Sequence, residues 1–141
     1  MSQTSPATDP FWPTAPLEGL VLQVVPDIGE YSPETEAENT NRYETSDLAA
    51  ATVITSMMVE PRGRHKVVLD IDLPAKLVPS TTPGHFHLYI DQEVDWPTYS
   101  KLLSALAEAG IVEKPYASVS QARGYTAARL PWVKKQPPKH T

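Results

Sequence analysis

HKVVLDIDLPAKLVPSTTPGHFHLYID, residues 65–91, is the stretch on which the reading of this chain turns. It holds two apolar segments with polar residues at period two. Val67, Val68 and Leu69 lead into Asp70, with Asp72 two residues on; Gly84 opens onto His85, Phe86, His87, Leu88, Tyr89, Ile90 and Asp91. In a strand, residues two apart point to the same side. The pattern therefore predicts a strand over residues 66–71 that turns Asp70 and Asp72 to one face. It predicts a second strand over residues 86–90, with His85 and His87 on one face, continued by Tyr89 and Asp91, and Phe86 and Leu88 packed inward. Side by side, the two strands would gather two carboxylates and two imidazoles into one patch. Carboxylate oxygens suit Mg²⁺ or Mn²⁺, whereas imidazole suits Zn²⁺ or grips phosphate.

Upstream, residues 1–16 carry Pro6, Pro10, Pro13 and Pro16 among small polar residues and read as a disordered arm, with Phe11 and Trp12 as aromatic anchors. Residues 17–25 are a short apolar run suited to a strand. Residues 26–47 are acidic and read as a long loop, so 17–47 is a partly ordered acidic segment. A strand is expected at 52–58, after a turn or short helix that begins at Asp47. Pro74 and Pro79 predict a loop over 73–83.

Downstream, Asp95 caps a helix with Pro97 in its first turn, and Gly110 stops it. Tyr99, Leu102, Leu103, Leu106 and Ala109 form its apolar stripe. A last strand is expected at 126–130, and 136–141 is a basic tail. The whole predicts a single α/β (α+β) domain over 48–135: a small, mostly antiparallel sheet with one or two packed helices.

The chain has 141 residues, enough for one domain with a modest core. It has no cysteine, which excludes disulfides, thiolate nucleophiles and cysteine-ligated zinc. The opening MSQTSPATDPFWP lacks the basic and apolar run of a secretory leader, and no apolar stretch reaches the length of a membrane span. A cytoplasmic location and no membrane partner are the resulting expectations. The net charge of −5 is unevenly spread. Residues 1–60 hold ten acidic groups and one basic group, Arg42, whereas residues 61–141 hold eleven basic and seven acidic groups. The second part tolerates an anionic ligand.

Each constellation has a functional and an ordinary reading. Asp70 and Asp72 suit a divalent metal; they also suit a solvated acidic turn before Pro74. His85 and His87 suit metal or phosphate; they also suit the wet face of an antiparallel strand. Ser80, Thr81, Thr82, Pro83 and Gly84 have the chemistry of a phosphate-facing loop, without the glycine and lysine pattern of a P-loop. Arg123, Arg129, Lys134 and Lys135, interleaved with Tyr125 and Trp132, suit phosphates and stacked bases; the alternative is a basic strand with Trp132 as a core plug.

The order of these segments resembles the archaeo-eukaryotic primase–polymerase superfamily. Leu69-Asp70-Ile71-Asp72 looks like that family's paired acidic motif. The segment Thr82-Pro83-Gly84-His85-Phe86-His87-Leu88-Tyr89 is similar to its histidine motif, with His87 at the family's histidine. Arg129-Leu130-Pro131 followed by Lys134 or Lys135 looks like its basic segment. The resemblance implies an RRM-like palm, with Asp70, Asp72 and His87 as the catalytic set. Asp70 and Asp72 would hold Mg²⁺ or Mn²⁺, and His87 would contact nucleotide phosphates. Thr82, Gly84, His85, Arg123, Arg129 and Lys134 would bind the substrate, a nucleotide or nucleic acid. The family's further catalytic acid has no counterpart: residues 118–125 contain no Asp or Glu, and Asp91 and Glu113 are the nearest substitutes. Both a nucleotidyl transferase and a binding-only descendant fit this pattern. The whole chain also looks like small proteins encoded by tailed viruses of actinobacteria, whose setting would be the host cytoplasm.

Two other functions fit the residues. One is an interaction protein that redirects a host protein through Phe11, Trp12 and the acidic residues 30–44. The other is a metal-dependent hydrolase using the histidine pair.

Overall fold

The computed structural model describes residues 14–25 and 42–134. The expectations for the proline-rich arm up to Pro13, for residues 26–41 and for the tail from Lys135 lie outside the described residues. The chain has the expected α+β class, with five antiparallel strands and two helices among the described residues. It divides into two compact units, Met1–Asp70 and Ile71–Thr141.

The first unit is a three-stranded sheet. Its strands are β1 (Leu20–Val24), β2 (Tyr43–Thr45) and β3 (Val53–Met58), in the order β2-β1-β3. β1, apolar but for the buried Gln23, is central, and Leu20, Val21, Val24 and Val25 form the core. The ladder with β3 is irregular between the Leu20–Met58 and Leu22–Ile54 pairs. There the Thr55 hydroxyl donates to the Val21 carbonyl at 2.7 Å and accepts the Met57 N–H at 3.1 Å. At the other end, the Thr52 hydroxyl accepts the Val25 N–H at 2.8 Å. The expected turn after Asp47 is present, with Ala50 and Ala51 N–H donating to the Asp47 carbonyl.

Two expectations fail in this unit. The acidic loop predicted over 26–47 contains β2, which pairs with β1 through Tyr43, Glu44 and Thr45. The strand predicted over 66–71 is reduced to one bridge, His65 with Met57, flanked by Met58 N–H to Arg64 and Lys66 N–H to Ser56 carbonyls. Past Lys66 no strand edge runs alongside among the described residues, so apolar alternation has nothing to pair with. Leu69 is 70% exposed.

The second unit begins with a hairpin of β4 (Ala75–Pro79) and β5 (Phe86–Ile90). β5 falls where the sequence predicts it. β4 replaces the predicted loop over 73–83, because the two prolines fall at its ends. Pro74 lies just outside the strand and Pro79 closes it, and a two-stranded sheet has only edge strands, where a missing N–H is tolerated. Register sorts the side chains. Lys76, Val78, His87 and Tyr89 share one face; Ala75, Leu77, Pro79, Phe86, Leu88 and Ile90 share the other. That second face is exposed (Phe86 55%, Leu88 56%), contrary to the expectation that Phe86 and Leu88 pack inward.

α1 (Trp96–Glu108) is capped by Asp95, whose carboxylate accepts the Thr98 N–H at 2.9 Å. Trp96, Tyr99, Ser100, Leu103, Leu106 and Ala107 line its covered side, with Leu103 buried. The predicted stripe is shifted by one position at Leu102 and ends earlier, since Leu102 and Ala109 are exposed. Gly110, at φ +77°, ends the helix with its N–H to the Ala107 carbonyl and the Ile111 N–H to the Leu106 carbonyl.

α2 (Lys114–Arg123) has no counterpart among the elements expected from the sequence. It packs on α1 through the small buried residues Ala117 and Ser120. Gln121 ties the pair by donating to the Ser100 carbonyl at 3.0 Å and the Ser104 hydroxyl at 2.8 Å. Residues 126–130, predicted as a strand, form no ladder. Instead Tyr99 Oη bonds to Thr126 Oγ1 at 2.7 Å and Tyr116 Oη donates to the Ala127 carbonyl at 3.1 Å.

Candidate functional site

The hairpin turn is built by its own hydroxyl. Ser80 Oγ accepts the Thr82 N–H at 3.1 Å and donates to the Thr82 carbonyl at 3.3 Å. The Ser80 N–H donates to the His85 carbonyl at 2.9 Å, and the His85 N–H to the Thr82 carbonyl at 3.1 Å. Gly84 closes the turn at φ +79°, a conformation that favours glycine. The turn thus holds Thr82 and Gly84 next to His85, and the strand carries His87 two residues further on.

His85 is exposed and His87 half-buried. The enclosed Nδ1 of His87 has no hydrogen-bond partner. Its Nε2 is not fully enclosed and makes no hydrogen bond, so the two ring nitrogens differ in their surroundings. His65, which was given no role, bonds through Nδ1 to Ser56 Oγ at 2.9 Å.

Asp70 and Asp72 do not share a strand face, because residues 66–72 form no strand. Both carboxylates are exposed; Asp70 ends the first unit and Asp72 lies at the start of the second. Among the described residues, no three His, Asp or Glu side chains gather as a ligand set.

Arg123 and Arg129 come together. They line one shallow cleft of about 660 Å³ with Glu113, Pro115, Tyr116, Val119, Ala127 and Ala128, between α2 and the chain that follows it. Arg123 is fixed there: its Nε donates to the Tyr125 carbonyl at 2.8 Å, and its guanidinium lies 4.7 Å from the Tyr125 ring centre. Arg129 makes no such bond and is free to meet a ligand. Lys134 is exposed, and Trp132, at 76% exposure, is no core plug.

Two residues escaped the sequence reading. Tyr116 was overlooked because α2 was overlooked. Lys76 was placed in a loop, whereas β4 sets it on the face of His87. The acidic segment is also partly committed: Arg62 makes a two-pronged pair with Glu44 at 3.1 and 3.2 Å. Their hydrogen bond is the main cause that lowers the Glu44 pKa and raises that of Arg62.

Among the described residues, no helix is long and apolar enough to cross a membrane. In comparisons with known proteins, no family model, curated protein or solved structure matches the chain.

Proposed function

We propose that this protein binds a nucleotide or nucleic acid through its phosphates with a divalent metal, as a primase–polymerase-like domain or a binding-only descendant of one. The observation that carries this reading is the hairpin. A short hydroxyl-rich turn containing Gly84 leads directly into His87, whose Nδ1 is enclosed without a partner and whose Nε2 is not fully enclosed. The arginine cleft supports it, since its lining sets Tyr116 and two guanidiniums against the single carboxylate of Glu113, a combination that accepts a base together with a phosphate.

Asp70 and Asp72 are the residues that would hold Mg²⁺ or Mn²⁺. Both are exposed oxygen donors, and Mg²⁺ takes one or two protein carboxylates and completes its shell with water and phosphate oxygens. When bound, such an ion neutralises phosphate charge and orients the phosphoryl group. His87, Arg129 and Lys134 would orient the anion from this chain.

The test is a titration of the full chain with a nucleoside triphosphate, with and without Mg²⁺ or Mn²⁺, following the His85 and His87 resonances. Shifts that require metal, and that vanish in Asp70→Ala while the fold is kept, are expected. A flat titration, or unchanged metal dependence in Asp70→Ala, overturns the reading.

A further inference from the structure

The polar face of the hairpin carries a cation beside the histidine. Lys76 is directly opposite Tyr89 in the β4–β5 ladder, and Val78 is directly opposite His87. Lys76 and His87 are therefore diagonal neighbours on one face, about 7–8 Å apart at Cα, within reach of a long side chain. The Lys76 ammonium is exposed and makes no hydrogen bond or ion pair among the described residues. Continuing the ladder by one pair brings in Ser80 and His85, joined by the Ser80 N–H to the His85 carbonyl.

The environment of His87 says what this face lacks. A buried donor without an acceptor is rarer and more costly than a bare acceptor. The tautomer that leaves the enclosed Nδ1 bare puts the proton on Nε2, which is not fully enclosed. In that form the ring is a neutral donor. A ligand with several negative charges needs a cation next to it, and Lys76 is the cation that the register supplies.

We infer that Lys76, His87 and Tyr89 form a polyphosphate subsite on this face, with Lys76 providing the charge and the His87 Nε2–H and Tyr89 hydroxyl providing directed donors. That the ligand is the tail of a nucleoside triphosphate rests on the nucleotide reading above; the affinity for a polyphosphate chain does not. Asp91, two residues past Tyr89, continues this same face opposite Pro74, whose carbonyl accepts its N–H at 2.9 Å; its carboxylate flanks Lys76 at the hairpin end away from His85, so the subsite lies on the His87 side of Lys76.

The experiment titrates the full chain with inorganic tripolyphosphate and, separately, with ATP and Mg²⁺. It reads affinity by calorimetry and the Lys76 and His87 side-chain resonances by NMR, in wild type, Lys76→Gln, Lys76→Arg and His87→Ala. Lys76→Gln is expected to weaken both ligands about tenfold and Lys76→Arg to restore most of the loss, as a charge-assisted contact requires. Unchanged hairpin amide shifts confirm the fold of each variant. If Lys76→Gln binds both ligands like wild type, the role of Lys76 is overturned while the nucleotide reading survives. If tripolyphosphate binds through Lys76 and ATP does not bind, the subsite stands and the nucleotide reading falls. If wild type binds neither, both are overturned.

Discussion

Val78 and His87 sit directly opposite each other on the β4–β5 ladder, and they are the two half-buried residues of its strands. Whatever order the hairpin has beyond its backbone bonds is centred on this pair, and the site histidine is half of it. Val78→Ala is expected to loosen the hairpin by about 1 kcal/mol, the loss of a partly covered branched side chain. Amide exchange across residues 75–90 measures it: faster exchange there, with α1 unchanged, is the expected outcome.

The two cleft arginines should separate in mutagenesis. Arg123 is tied to the Tyr125 carbonyl and ring, so Arg123→Ala should lower both melting temperature and nucleotide affinity. Arg129 has no such structural ties, and Arg129→Ala should weaken affinity about tenfold with no change in melting temperature. Equal melting losses in the two variants would contradict this division.

Ser120 is completely buried against α1 and its hydroxyl has no partner. Removing an unsatisfied buried hydroxyl is favourable, so Ser120→Ala should stabilise the protein by about 1 kcal/mol. Ser120→Leu should cost about 1–3 kcal/mol, because the helix pair has no room for the added carbons. Thermal or denaturant melts of the two variants should move in opposite directions.

Hydrogen bonds from Thr98, its side chain first and its backbone N–H second, hold the Asp95 carboxyl below its ordinary range. A lowered folded-state pKa gives stability that is complete above the unfolded value and disappears as pH falls through the folded one. The acid limb of α1 stability should therefore flatten in Asp95→Asn, which keeps a capping acceptor but no longer titrates. Asp95→Ala should be less stable than wild type at neutral pH and lose that difference in acid. Helix content followed from pH 6 to pH 2 tests both.

Gly110 holds φ +77° at the end of α1. Gly110→Ala is expected to destabilise by about 1 kcal/mol, since alanine pays for the left-handed conformation there. A loss confined to the end of α1, seen as faster exchange of the Gly110 and Ile111 amides in the closing turn, is the signature to look for.

The elements legible in the sequence were those whose local chemistry and packing agree. β1 is apolar but for Gln23 and is central; α1 has a capping aspartate, an early proline and a closing glycine, and each sits where these residues act. β5 alternates and pairs. Residues 66–71 alternate equally well, but their fate depends on a partner edge, which no local pattern encodes. α2 was hidden because it buries alanine and serine, not an apolar stripe. Its signal was Pro115 in the first turn, Arg123 in the last and Gly124 just after it. Within the site, the spacing of His85 and His87 was legible, and so was their adjacency to the serine-threonine turn. Lys76 was not, because its membership depends on register across a strand that two prolines disguised.

Those same prolines have a colloidal consequence. A two-stranded ribbon with one uncovered apolar side has open backbone edges on which stray chains can grow. Pro74 and Pro79 bound β4 at five residues, and Pro79, whose nitrogen faces away from β5, interrupts the row of donors on its outer edge. The effect to expect is slower self-association at high concentration, a property that neither a melting curve nor a binding isotherm of the dilute chain would register.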